Sequence, residues 1–213
     1  MTKILLVRHG ETWANRRETF AGYTDAKLTE IGFLQAEKTA DFVVEKYAVD
    51  KVYASDLERA FLTGKAIADR IGMDVILEKE MREIFGGLWE NVEYEKLAAL
   101  YPEEYGVWLN DISKSRCVEG ESVVELSQRI MGTLTRIAQE NDGKTVAVVS
   151  HGTPIRVAQC MMMYGNLELM NDVSWASNAS VTEIEYENGK WKLVAVSQDK
   201  HLGDIRTALP DTV

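Results

Sequence analysis

The stretch from Lys3 to Asn15, KILLVRHGETWAN, decides how the rest of the chain is read. Ile4, Leu5, Leu6 and Val7 form a short apolar run that stops abruptly at Arg8 and His9, with Gly10 next. Such a run, bounded by glycine, reads as a buried strand rather than a helix. Open α/β sheets bind ligands beyond the carboxyl ends of their strands. Arg8 and His9 stand at that end.

Working outward, Arg16 to Lys27 lacks periodicity and reads as a loop. Thr29 can cap a helix to about Tyr47, with Ala36, Ala40, Val43 and Tyr47 on one face and Glu37, Asp41 and Glu45 on another. Lys51 to Ala54 is a second strand. Ser55 and Glu58 then have capping-box spacing for a helix with a stripe of Leu57, Ala60, Phe61, Gly64, Ile67 and Ile71, ended by Gly72. Asp74 to Leu77 is a third strand, and the βα alternation predicts a parallel sheet carrying helices. From Met81 to about Cys117 the sequence turns aromatic and broken, around Gly86, Gly87, Trp89, Tyr94, Tyr101, Pro102, Tyr105 and Trp108. Residues 84–118 or so read as a lid-like excursion over one end of the sheet.

Ser122 and Glu125 then cap a helix with buried Val123, Leu126, Ile130, Leu134 and Ile137. Thr145 to Ser150 is almost wholly apolar and so central in the sheet. It ends at His151 and Gly152, and Thr153 and Pro154 open another helix. Val181–Tyr186 and Lys190–Val196 form a hairpin about Asn188-Gly189, and the tail from Ser197 reads as loop. The expectation is one domain over residues 1–213. Its fold class is α/β, a three-layer sandwich with a mainly parallel central sheet flanked by helices.

A net charge of −10 argues against nucleic acid and anionic lipid as partners, and makes clustered cations conspicuous. No apolar span approaches the ~20 residues a membrane helix needs, and no export signal is legible. Cys117 and Cys160 lie far apart with no C-x-x-C spacing, which points to a reducing, cytoplasmic setting.

Two strands end alike, Val7-Arg8-His9-Gly10 and Val149-Ser150-His151-Gly152, so a parallel sheet brings both histidines to one edge. Ser55 places Arg59 at that edge too, in the first turn of a helix, and Glu83 follows the third strand closely enough to reach it. Two guanidiniums, two imidazoles and a carboxylate suit phosphoryl transfer through histidine. A neutral imidazole is nucleophilic near pH 7, provided one ring nitrogen is held by a backbone carbonyl and the other is free. Arginine forks match phosphate oxygens and the charge of the transition state. A carboxylate can protonate the leaving oxygen and then take a proton from water. Gly10 would let backbone N–H groups approach the anion. No metal and no cofactor is needed. Each piece alone also has a plain structural reading, as a salt bridge or a buried polar cap. Their agreement on one edge is what gives the set weight.

Leu6-Val7-Arg8-His9-Gly10-Glu11-Thr12 with Asn15 resembles the signature of the histidine phosphatase superfamily, the phosphoglycerate mutase-like family. So do Leu28-Thr29-Glu30-x-Gly32-x-x-Gln35-Ala36, Ser55-Asp56-Leu57-x-Arg59-Ala60-x-x-Thr63, Arg82-Glu83-Ile84-x-x-Gly87-x-Trp89-Glu90, Gly120-Glu121-Ser122 and Ser150-His151-Gly152, in that family's order. The resemblance implies His9 as phosphorylated nucleophile and Glu83 as proton donor. It also implies Arg8, Asn15, Arg59 and His151 in the phosphate pocket, and Gly22, in Phe20-Ala21-Gly22-Tyr23, in a substrate loop. Three departures stand out. Ala14 separates Trp13 from Asn15, Gly64 replaces the usual alanine, and Ile84–Asn91 carries one residue more before Gly-x-Trp-Glu. The last leaves Asp111 or a neighbouring carboxylate as an alternative acid.

The expected function is hydrolysis of a small phosphorylated metabolite, a phosphomonoester. A cofactor-dependent phosphoglycerate mutase is the alternative, and a non-catalytic phosphate-ester binding protein a further one. The excursion is short and lacks the arginine pair those mutases use, which favours the phosphatase. Trp89, Tyr94, Tyr101 and Trp108 are expected to wall the pocket. The C-terminal hairpin offers a sheet edge for a homodimer.

Overall fold

A computed structural model describes residues 1–207. Six strands form one sheet in the order β3-β2-β4-β1-β5-β6. They are β1 (Thr2–Arg8), β2 (Lys51–Ala54), β3 (Val75–Leu77), β4 (Thr145–Ser150), β5 (Val181–Glu187) and β6 (Lys190–Gln198). The first four are parallel, and the hairpin β5-β6 adds antiparallel to the side of β1. Its turn has Asn188 and Gly189 at φ of +50° and +77°, as a two-residue hairpin turn requires. β4 is central, as its apolar sequence requires.

The helices are α1 (Trp13–Arg16), α2 (Glu30–Lys46), α3 (Glu58–Arg70), α4 (Tyr94–Leu100), α5 (Pro102–Asn110), α6 (Val123–Glu140) and α7 (Gly152–Tyr164). Strand alternation sorts the core into two layers. Leu5, Val7, Val52, Ala147 and Val149 pack with Ala36, Ala40 and Val43 of α2 and Ala60 and Ile67 of α3. Ile4, Leu6, Val146 and Val148 face the other way, toward Leu126, Ile130 and Leu134 of α6 and Val157 of α7. The three-layer α/β sandwich is therefore present. Gly64 serves this packing, since a Cβ there would meet Ala54 and Val149 at 3.1 and 3.3 Å.

Thr29 and Ser122 cap α2 and α6 as their sequences require, the latter with a full capping box to Glu125. Ser55 does not cap α3. Leu57 occupies the cap position, Asp25 Oδ1 instead accepts the Glu58 N–H (2.7 Å), and Ser55 is drawn to His151. α7 starts earlier than Thr153-Pro154 suggests, with His151 at its cap position. The short α1, capped by Thr12, precedes the segment read as a loop and overlaps it only at Arg16. The tail is ordered as far as Thr207, and the rest of the segment read as loop, 208–213, lies outside the described residues. β6 continues to Gln198, and a 3-10 turn over Lys200–Ile205 packs on α2, where His201 stacks on Phe42.

Within the excursion, Trp89 is fully buried and meets Phe20, Tyr105 and Trp108 edge-to-face at 5.5–5.8 Å. Trp89 and Tyr105 are core, not pocket wall. No helix among the described residues is long and apolar enough to cross a membrane.

Candidate functional site

The fold brings Arg8, His9, Asn15, Gly22, Arg59 and Glu83 to the rim of one cavity of about 340 Å³ at the carboxyl edge of β1 and β4. Register puts Arg8 opposite Ser150, so His9 and His151 emerge side by side with ring centroids 5.2 Å apart.

His9 Nδ1 lies 2.7 Å from the carbonyl of its neighbour Gly10. A carbonyl only accepts, so Nδ1 carries the proton and Nε2 keeps its lone pair. Burial, then the charges of Arg59 and Arg8, hold the imidazole well below the usual 6.5, so it is neutral at physiological pH. Gly10 has another purpose than the one expected. Its N–H donates to Thr63 Oγ1 (3.1 Å), and a Cβ would strike the Gly32 carbonyl at 2.3 Å. The missing side chain lets β1 leave the sheet hard against α2; the N–H is not offered to an anion.

His151 is fully buried and does not line the cavity. Arg59 Nε donates to its Nδ1 (3.1 Å), so the ring proton sits on Nε2 and goes to Ser55 Oγ (2.8 Å). Burial and Arg59 keep this imidazole neutral too. His151 therefore lies behind Arg59 rather than facing the pocket.

Arg59, buried in the first turn of α3, also donates through Nη1 and Nη2 to the carbonyls of Thr24 and Gly22, each at 2.8 Å. Burial pulls it down to about 10, which leaves it charged. Gly22 sits at φ +47°, where a Cβ would meet Glu90 Oε1 at 2.1 Å. Glu90 explains this loop. Its carboxylate accepts the N–H groups of Tyr23, Thr24 and Gly86 at 2.7–3.0 Å, holding in place the carbonyls that hold Arg59.

Arg8 donates through Nη1 to the Ala176 carbonyl, while its Nε–H is buried with no partner among the described residues. An unpaired buried donor costs on the order of 1–3 kcal/mol, so it suits a site that takes an anion. Asn15 Oδ1 accepts from Thr12 and from Asn178 Nδ2, leaving its own amide N–H groups without a protein partner among the described residues. Asn178 also donates to the His9 carbonyl (3.2 Å).

Glu83 reaches the cavity despite the extra residue that follows it. Its Oε2 meets the Thr153 N–H at 3.3 Å, at the positive end of α7, and its Oε1 accepts the Ile84 N–H at 2.8 Å. In the longer stretch that follows, Gly87 sits at φ +54°, where a Cβ would strike the Val118 carbonyl at 2.2 Å. Asp111 instead pairs with Lys114 and Ser113 on the surface and is not at the cavity.

The sequence reading missed Thr153, Asn178, Trp175 and Thr207 as lining residues. Of the four aromatics expected to wall the pocket, only Tyr94 and Trp108 do so. Trp13, near the Ala14 departure, is 46% exposed, with Arg16 and Arg17 over its ring.

The arrangement offers a neutral nucleophilic nitrogen between guanidiniums, with a carboxylate and helix N–H groups opposite. A family model described as "Histidine phosphatase superfamily (branch 1)" matches residues 4–199. Phosphoserine phosphatase 1 of Hydrogenobacter thermophilus is 31% identical over 205 residues, 96% of each chain. The solved YhfR of Bacillus stearothermophilus superposes with a TM-score of 0.90 at 23% identity, covering 95% of this chain and 100% of the other. Phosphoserine phosphatase of Entamoeba histolytica, solved in complex with phosphoserine, is 28% identical with a TM-score of 0.84, covering 95% and 100%.

Proposed function

Because the chain belongs to the histidine phosphatase superfamily, we propose that His9 is its phosphorylated nucleophile and Glu83 its general acid and base. Membership makes the protein a phosphomonoester hydrolase of the histidine phosphatase type, acting on small phosphorylated molecules.

One observation carries the assignment of His9: its Nδ1–H is fixed on Gly10, so a lone pair on Nε2 is available at the cavity beside Arg8 and Arg59. Nε2 attacks phosphorus, the P–O bond to the leaving group breaks, and Glu83 in its acid form gives the leaving oxygen a proton. Glu83, now ionised, takes a proton from water as that water attacks phosphorus, the N–P bond breaks, His9 is regenerated and inorganic phosphate is released. Arg8, Arg59 and the Asn15 amide hold the phosphoryl oxygens, so the charge role is filled without a metal. His151 orients Arg59.

The cavity is small, at the low end of ligand pockets. Arg16 at its wall uses Nε on Glu11 (2.7 Å) and has Nη groups free of protein partners among the described residues. That arrangement favours a small ester bearing a carboxylate, and the phosphoserine phosphatases among the relatives support the same reading. The excursion lays Tyr94 and Trp108 on the cavity, not cations, which does not suit holding a second phosphate as a mutase must. Buried free Cys117 and Cys160 support a cytoplasmic setting. β6 has an open edge with Val194 and Val196 exposed, which supports a homodimer there, and light scattering tests it.

Brief reaction with labelled phosphoserine, quenched in base, is expected to leave acid-labile, base-stable phosphate on His9. Label on any other residue, or transfer between phosphoglycerates without phosphate release, overturns the proposal.

A further inference from the structure

Glu83 lies on backbone that belongs to no strand or α-helix, between 3-10 turns at Lys79–Met81 and Gly87–Trp89. Yet a general acid must be held to within a fraction of an ångström of the leaving oxygen. The groups that hold it come from Gly120-Glu121-Ser122 and from α6, neither of which the chemistry above uses.

Arg129 projects from α6 onto the Glu83 segment. Nη1 donates to the carbonyls of Glu80 (2.6 Å) and Arg82 (3.0 Å), and Nη2 to the carbonyl of Glu83 itself (3.1 Å). The remaining donors go to Glu121, Nε to Oε1 at 2.9 Å and Nη2 to Oε2 at 2.8 Å. A guanidinium has five N–H groups, and all five are engaged. Glu121 then closes the grip on the other side. Its Oε2 accepts the Phe85 N–H (3.1 Å), and its own N–H donates to the Phe85 carbonyl (2.9 Å). The ion pair is largely shielded from water, the side chains being 12% and 13% exposed. Backbone on both sides of Glu83 is thus fixed by one ion pair, Arg129 holding the residues up to Glu83 and Glu121 holding Phe85 beyond it.

We propose that Arg129, clamped by Glu121, is a positioning residue whose function is to aim the Glu83 carboxylate at the leaving group. The inference rests on the role assigned to Glu83. An ammonium has three donors and no fork, so lysine cannot reproduce the geometry.

The test compares two leaving groups. An alkyl phosphate such as phosphoserine needs a proton on its departing oxygen, whereas 2,4-dinitrophenyl phosphate expels a stable anion and does not. In Arg129→Met, kcat/KM for phosphoserine is expected to fall about 100-fold and kcat/KM for the dinitrophenyl ester by less than about threefold. A pre-steady-state burst of dinitrophenolate should also appear, because the misplaced carboxylate is slow to activate water for the second step. Arg129→Lys and Glu121→Gln should show the same selectivity at smaller size, and they decide the matter if Arg129→Met does not fold. Glu83→Gln is run beside them. Equal losses on both esters in the Arg129 and Glu121 variants, or no loss on either, overturn the proposal if Glu83→Gln is itself selective. If Glu83→Gln is not selective, the role of Glu83 fails first and this inference falls with it.

Discussion

The ends of β1 and β4 lie in register, and each delivers a His-Gly pair past an apolar strand. At the β1 end one ring nitrogen of His9 is tied to a backbone carbonyl and the other has no protein partner among the described residues. At the β4 end both nitrogens of His151 are taken, by Arg59 and Ser55, and the ring is sealed from the cavity. On the mechanism proposed above, the same local sequence therefore yields a nucleophile in one place and a support for a phosphate-binding arginine in the other. What separates them is the company each ring keeps. A neutral acceptor leaves a lone pair exposed, whereas a guanidinium and a hydroxyl use the ring up.

Substitutions can break that contrast. His9→Ala should remove phosphatase activity by about four orders of magnitude or more, with no phosphoenzyme detectable in acid–base lability assays. Next in size is Glu83→Gln, with an expected loss of about 10²–10³-fold in kcat/KM for phosphoserine, measured in initial-rate assays. His151→Ala should cost about 100-fold while phosphoenzyme still forms, because Arg59 loses its aim but the nucleophile survives. Loss of the phosphoenzyme in His151→Ala would put both histidines on an equal footing and end the contrast.

A pH series sharpens it. Burial and Arg59 depress both imidazoles below 6.5 in the folded chain. Below pH 6.5 the unfolded chain takes up protons that the folded one refuses, so folding stability must fall as pH falls from there toward the folded-state pKa values. Each ring adds up to about 1.4 kcal/mol per pH unit in that window. Urea denaturation of wild type and the two single alanine variants should show the slope flatten in each variant. The smallest effect belongs to Ser55→Ala, which strands the His151 Nε2–H at a cost of about 1–3 kcal/mol in stability, read by the same denaturation, with activity within about tenfold of wild type.

Local pattern made much of this legible. Short continuous apolar runs located the central strands, caps at Thr29 and Ser122 started their helices, and Asn188-Gly189 fixed the hairpin. Those signals work because they are local, each depending on residues within one turn or one strand. Ser55 misled for the same reason: its spacing to Glu58 is that of a cap, but His151, distant in sequence, competes for its hydroxyl. Trp89 likewise reads as a pocket aromatic until Phe20, Tyr105 and Trp108 enclose it.

By itself, then, the sequence determined the strand ends, the parallel α/β plan and the residue types that phosphoryl transfer needs. Tertiary structure decided which histidine keeps a free nitrogen, that Glu83 reaches the cavity past an extra residue, and that Glu90 and Arg129 hold the loops that aim Arg59 and Glu83. The physical reason is the range of the interactions. Backbone propensity acts over a few residues, whereas a hydrogen bond's direction and a side chain's burial depend on partners that only folding brings together.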